Sequence, residues 1–183
     1  MRNSVLSALL IAACAGATAG SAHAADEELS ALDYIQIQQL VARYARAIDT
    51  CSNNGYDYAD LFTPDGVFIP MFNGKPIAEI RGRERLAEAS SGGSRGCKDV
   101  PWIEQGLRHI YTNHVITPTA EGATGVVDML MIGLGGDPNK IEYDGYYEDL
   151  YVRTPNGWRF KQRVHHALLW AGERVAPEDA ENP

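Results

Sequence analysis

The order of patterns along this chain predicts an α+β fold: N-terminal helices on one face of a strongly curved antiparallel or mixed sheet, enclosing a pocket. Three observations carry that expectation. Apolar residues recur at helical spacing from about Ala31 to Asp49. Strand-forming residues dominate from His109 to Trp170. The 183 residues fit one domain with a sizeable core of its own.

The helical stripe is Leu32, Ile35, Leu40, Val41, Tyr44 and Ile48, with Ser30 in place to cap it. Ser52-Asn53-Asn54-Gly55 breaks the helix. A short helix is expected near Tyr56 to Phe62, then a turn at Thr63-Pro64-Asp65-Gly66. Val67 to Phe72 reads as a strand, in which Pro70 marks an edge or a bulge. Asn73-Gly74 turns the chain toward a short strand at Ile77 to Ile80. Gly82 to Ala89 is a third helix, and residues 90–101 form a loop over the cavity mouth. Four long strands follow: His109 to Thr117, Thr124 to Gly133, Ile141 to Arg153 and Trp158 to Trp170. Ala120-Glu121-Gly122 and Thr154-Pro155-Asn156-Gly157 supply turns. Helices first and a meander after them place the helices on one sheet face. The concavity is the default ligand site.

Residues 1–24 have the form of a secretory signal: Arg2, an apolar run from Val5 to Ala13, and Ala22-His23-Ala24 before the cut. The run is too short to span a bilayer. Cleavage leaves a domain over 25–170 and an acidic, disordered tail over 171–183. The expected location is periplasmic or secreted. The alternative is a lipoprotein anchored at Cys14, which follows Ile11-Ala12-Ala13. The net charge of −8 argues against nucleic acid or an anionic membrane as partner. Cys51 and Cys97 remain after cleavage, and an even count in an oxidising compartment points to one disulfide. The alternative is two unpaired thiols.

Two stretches carry the chemistry. Asp49 ends the first helix, where a carboxylate faces the negative end of the helix dipole and needs a local partner. His109 opens the first long strand, and a histidine beside a carboxylate is the usual general base. Tyr44 lies five residues before Asp49, as core packing or as a catalytic hydroxyl. Alternation puts His114 on the face opposite His109. Asp128 interrupts an apolar run and is expected to pair near Val115. Asp149 and Arg163 fall opposite each other if Pro155-Asn156-Gly157 is a three-residue hairpin loop, as a surface ion pair or as a cavity pair. Adjacent His165 and His166 point to opposite strand faces and cannot share an ion, so no metal is expected.

Several segments together resemble the SnoaL-like branch of the nuclear-transport-factor-2-like superfamily. They are Leu40 to Asp49, Leu61-Phe62-Thr63-Pro64-Asp65-Gly66-Val67-Phe68, Gly82-Arg83-Glu84, Arg108-His109 with Asn113-His114, and Gly157-Trp158-Arg159-Phe160. That branch includes scytalone dehydratase, bile-acid dehydratase, lindane dehydrochlorinase and, more distantly, ketosteroid isomerase. The resemblance spans about residues 30 to 168. It implies a cone-shaped fold and a cofactor-independent site, with Asp49 and His109 as the proton-abstracting dyad and Tyr44 as the accompanying tyrosine. It implies a pocket role for Asp149 and Arg163, and assembly as a dimer or trimer. One departure stands out. The dehydratases place a second polar group about where Ile132 to Leu134 stand here.

The expectation is a secreted lyase, a dehydratase or related elimination enzyme, acting on a small apolar, polycyclic or aromatic molecule. Phe68, Trp102, Leu130 and Tyr147 line its pocket, and Tyr44 or Arg163 assists the leaving group. The alternatives are an isomerase with the same parts, or a noncatalytic binding or assembly module.

Overall fold

The computed structural model describes residues 28–98, 100–104, 106–133, 141–170 and 173–174. The expected signal segment and most of the expected tail lie outside these residues. The helices are α1 (Ala31–Thr50), α2 (Tyr56–Ala59), α3 (Arg83–Ala89) and α4 (Pro101–Glu104). The strands are β1 (Phe62–Phe72), β2 (Lys75–Pro76), β3 (Ile80–Arg81), β4 (Arg108–Thr119), β5 (Gly122–Ile132), β6 (Ile141–Thr154), β7 (Gly157–Trp170) and β8 (Glu173–Arg174).

Ser30 caps α1 through a reciprocal box. Its hydroxyl accepts from Asp33 N at 3.3 Å, and its own N–H donates to Asp33 Oδ2 at 3.0 Å. Asp33 Oδ1 also accepts from Trp158 Nε1 at 3.0 Å and from Arg153. One carboxylate therefore starts the helix and pins that start to the β6–β7 hairpin.

The sheet runs β2-β1-β7-β6-β5-β4, with β3 on β1 and β8 on β7. The β1–β7 pair is parallel and the other neighbours are antiparallel. The sheet is thus mixed and unclosed. Register shifts at Thr112/Val115, Met131/Ile132, Asp144/Gly145 and Leu150/Tyr151 bend the long strands. α1 lies across the concave face against β4 and β7. Its buried Ile37, Leu40, Val41 and Tyr44 meet Val127, Met129, Tyr147, Tyr151 and Phe160 from the sheet.

Some segments differ from the sequence expectation. Thr63-Pro64-Asp65-Gly66 does not turn the chain but is taken into β1 as a wide irregularity, where the register moves from Phe62↔Phe160 to Val67↔Gln162. Gly66 is needed there, because a Cβ would stand 2.9 Å from Phe160 O. Pro70 pairs with His165, inside the sheet rather than at its edge. Residues 90–101 contain a single-turn 3-10 helix at Gly93–Arg95 and the start of α4. Glu173–Arg174 pair with β7 instead of joining a disordered tail.

Cys51 ends α1 in the left-handed conformation, φ 46°, and is disulfide-bonded to Cys97 with a Cα–Cα distance of 6.1 Å. The bridge ties the helix end to the loop before α4. Replacing both cysteines with serine is expected to lower stability by about 3–4 kcal/mol. Denaturant midpoints of the variant and the oxidised wild type measure this, and equal midpoints would show that the bridge does not support the fold.

Candidate functional site

The C-terminal turn of α1 and the first residues of β4 meet at the site. Asp49 sits where the helix dipole disfavours a carboxylate by about 0.3–1 kcal/mol. One residue supplies the compensation. His109 N–H reaches Asp49 Oδ1 and Oδ2, each at 3.3 Å, and His109 Nδ1 meets Oδ1 at 2.6 Å. Asp49 is 5% exposed and His109 8%. An ionised carboxylate only accepts, so the hydrogen of this bond lies on Nδ1. The neutral ring then carries its lone pair on Nε2. A base needs that tautomer.

β4 and β5 place the neighbours. His109 pairs with Met131, and Tyr111 with Met129. Tyr111 stacks against His109 at 6.3 Å between ring centres, with an interplanar angle of 21°. Leu130, expected in the pocket, pairs with exposed Ile110 on the outer face, because buried Val127 and Met129 fix the inward positions of β5. The inward residue beside His109 is Met131, which packs against the core. Phe68 also packs against the core, and Tyr147 is buried within it. Trp102 lies in α4, and its side chain falls outside the described set.

Tyr44 does not touch the dyad. Its hydroxyl is 3.3 Å from Tyr58 Oη, and its ring packs on Tyr58, Phe62, Tyr111, Tyr147 and Phe160. Burial pushes its phenol well above the ordinary range. These are the packing contacts that its place on the helical stripe gives it.

Asp149 and Arg163 are opposite each other, but through a two-residue turn at Pro155-Asn156 followed by the Leu150/Tyr151 shift. They form an interior pair, with Arg163 Nε 3.3 Å from Asp149 Oδ1 and both side chains sealed from solvent. The guanidinium carbon lies 3.9 Å from the Tyr147 ring centre, 4.0 Å from Tyr44, 4.6 Å from Phe160 and 5.3 Å from Tyr111. Burial pushes the Asp149 carboxyl up to about 6, against the pull of Arg163 and of the Tyr151 hydroxyl, which donates to Asp149 Oδ2 at 2.6 Å. The aromatic layer over Arg163 separates this pair from open solvent.

Two histidines come inward that alternation from His109 did not place there. Asn113 takes φ 51° in the β4 bulge, and the extra residue returns His114 to the inner face. His114 Nε2 is 3.0 Å from Tyr151 Oη. Asp128 pairs with Thr112, not near Val115, and accepts from Asn113 Nδ2 at 2.7 Å on the outside. His165 points inward two residues after Arg163 and stacks on Tyr147 at 4.8 Å. Its parity with Arg163 was the signal in the sequence. His166 is on the other face, 2.8 Å from Glu148. Burial lowers His114 to about 4 and His165 to about 3. Among the described residues no cluster of three or more His, Cys, Asp or Glu is placed to hold a metal ion. A groove of about 770 Å³, lined by Phe62, Thr63, Arg83, Thr154 and Arg159 among others, lies at the opposite end of β6 and does not reach the dyad.

Residues 29–164 match the SnoaL-like domain family, and the chain belongs to that family. An uncharacterized protein of Mycobacterium tuberculosis is 28% identical over 141 residues, covering 72% of this chain and 83% of its own. A crystal structure from Novosphingobium aromaticivorans, described as NTF2-like with a cystatin-like fold, superposes with a TM-score of 0.61. It is 22% identical and covers 75% of this chain and 82% of its own. A protein from the same organism, provisionally assigned as a scytalone dehydratase, gives a TM-score of 0.59 at 19% identity, covering 80% and 93%. The fold is the NTF2-like cone.

The two lowered imidazoles give a pH signature. The folded state resists protonating them while the unfolded chain takes protons below about 6.5, so their support is present above that pH and lost as pH falls. The raised Asp149 acts oppositely, favouring the folded state at lower pH. In His165→Phe one acid-sensitive group is gone. Its stability relative to wild type is expected to rise by up to about 1.4 kcal/mol per pH unit below pH 6.5. Denaturant titrations between pH 7 and 4.5 measure this, and a constant gap would show that His165 does not resist protonation.

Proposed function

We propose that this protein is an exported, cofactor-independent lyase of the SnoaL-like family. The 2.6 Å bond between Asp49 and His109 Nδ1 carries the proposal. His109 Nε2 takes a proton from a carbon of the substrate. The electron pair of the C–H bond becomes the new double bond, and a leaving hydroxyl on the adjacent carbon departs as water with the returned proton. Asp49 holds the ring in the required tautomer and stabilises the imidazolium that forms. The provisional scytalone dehydratase among the structural neighbours is consistent with this chemistry. Met131, Phe68, Tyr111 and Tyr147 favour a small apolar or aromatic ring compound, with Trp102 proposed to join them. Arg163, sealed beneath rings, shapes this wall rather than touching the leaving group. An isomerase would use the same dyad and return the proton to a different carbon.

The Cys51–Cys97 bridge supports export into an oxidising compartment. Among the described residues no helix is long and apolar enough to cross a membrane. Exposed Ile110, Val115 and Val126 on the outer sheet face support a homo-oligomer, a dimer or trimer. The second reading, a noncatalytic binding module, draws on the interior around Arg163, which is filled by the protein's own rings.

The test is a panel of cyclic hydroxyketones incubated in deuterated buffer and followed by NMR for deuterium uptake and alkene formation. Wild type is expected to turn over at least one member, and His109→Ala to lose about 10²- to 10⁴-fold of that rate while staying folded. Asp49→Asn is expected to move the ring hydrogen to Nε2, because the amide donates to Nδ1; the ring ¹⁵N shifts report this. Undiminished turnover by His109→Ala would end the lyase reading, and binding without exchange would establish the module.

A further inference from the structure

Among the buried polar groups that the proposed reaction leaves unused, His165 is the imidazole in ring contact with the wall that begins at His109. It is 8% exposed, and its Nε2 is buried with no hydrogen-bond partner. A buried polar group without a partner is costly, and in a native fold it calls for a water, a ligand or a function.

Its place in the sheet identifies which. From His109 a run of rings crosses the concave face. Tyr111 stacks on His109, Tyr147 meets Tyr111 edge-on at 5.7 Å between centres, and His165 stacks on Tyr147 at an interplanar angle of 24°. β4, β6 and β7 thus carry a wall with an imidazole at each end and two tyrosine rings between. Burial above all, and then the charges of Arg163, His109 and His166, keep His165 neutral. A neutral imidazole offers one donor and one acceptor. On β5 the residues beside the dyad, Met131 and Ile132, offer no donor and only the weak thioether acceptor of Met131.

We infer that His165 is the second polar group of this site and determines its specificity, hydrogen-bonding a hydroxyl or carbonyl oxygen on the substrate whose acidic carbon faces His109. The inference rests on the reading of Asp49–His109 as the reacting centre. It adds a substrate class: a neutral, ring-sized molecule with an oxygen function at the far side from the carbon that loses the proton. Phenols and cyclic ketones fit, and hydrocarbons of the same shape do not. A carboxylate gains nothing here, because His165 stays neutral and Arg163 lies beneath the rings.

The probes are 2-naphthol and 2-methylnaphthalene, nearly equal in shape and different in the hydroxyl, titrated calorimetrically into the purified oxidised protein. Wild type is expected to bind the naphthol about tenfold more tightly, the worth of one hydrogen bond to a buried partner. His165→Phe keeps the stacking on Tyr147 and is expected to bind both probes alike. His165→Asn restores a donor and an acceptor and is expected to recover part of the preference. Unchanged discrimination in a folded His165→Phe would overturn the role of His165 while leaving the dyad reading intact. Failure of wild type to bind either probe would overturn the inference, and unaltered carbon-acid exchange in the panel described above would then show that the dyad reading survives without it.

Discussion

A guanidinium with no solvent exposure at the centre of the cone sets the terms for the packing around it. Taking such a charge out of water costs several kcal/mol unless it is compensated. Arg163 is compensated in part and in two ways, none of its three side-chain nitrogens having a hydrogen-bond partner among the described residues. Asp149 stands 3.3 Å from its Nε, and four aromatic rings present their faces or edges within 5.3 Å. Each desolvated ring contact of this kind is worth about 0.5–2 kcal/mol. The rings come from α1, β4, β6 and β7, so one charge on β7 holds the helix to the concave face and the strands to one another. Asp149 is oriented by Tyr151, and Tyr151 by His114. The polar chain thereby runs back from β7 to β4, where the dyad begins. Gly125 lets it pass, since a Cβ there would lie 2.7 Å from the Tyr151 ring and 3.1 Å from His114 Nε2.

The helix and the four long strands were legible because their signals are local. The stripe through Leu40, Val41, Tyr44 and Ile48 and the β-branched and aromatic runs after Arg108 are read by counting periods; Leu32 and Ile35, counted in that stripe, are 60% and 53% exposed, and Ile37 takes the buried position instead. Asp49 and His109 were legible as residue types, and the family resemblance supplied their pairing, which no local pattern contains. What failed was parity. A bulge adds one residue and exchanges the two faces of the strand beyond it. That is why His114 comes inward, Asp128 pairs outside with Asn113, and the Asp149–Arg163 pairing arises from a turn and a shift that cancel a miscounted loop. Leu130 failed for a simpler reason. Val126-Val127-Asp128-Met129-Leu130-Met131 is apolar on both faces except at Asp128, so composition did not say which face was in. Tyr44 was ambiguous because packing and catalysis both want a tyrosine on that stripe, and in the fold its ring lies under the interior charge of Arg163.

Two polar systems inside one cone differ in what they can do. The Asp149–Arg163 pair is sealed, and a sealed pair cannot exchange protons with solvent between turnovers. Its consequence is shape. The Asp49–His109 pair lies at the end of a helix and the start of a strand, the Cys51–Cys97 bridge ties that helix end to the loop before α4, and His109 is 8% exposed where Arg163 is 0%. A general base must be held to within a fraction of an ångström and yet be rechargeable. Of the two, only the dyad combines these properties.

Asp49 meets His109 in two ways, through the backbone and through the ring. The carboxylate already accepts the backbone N–H of residue 109 with both oxygens. That contact alone joins α1 to β4, and it would form with any side chain at 109. The shorter bond, from Nδ1 at 2.6 Å, adds an aromatic ring nitrogen to a buried carboxylate that had no need of it for anchoring. Its effect is to fix which nitrogen bears the hydrogen and to aim the other away from the helix. Orientation and tautomer are what the proposed reaction asks of this ring. The arrangement meets what the proposed chemistry needs of His109, on a fold that serves catalysis and binding in different proteins.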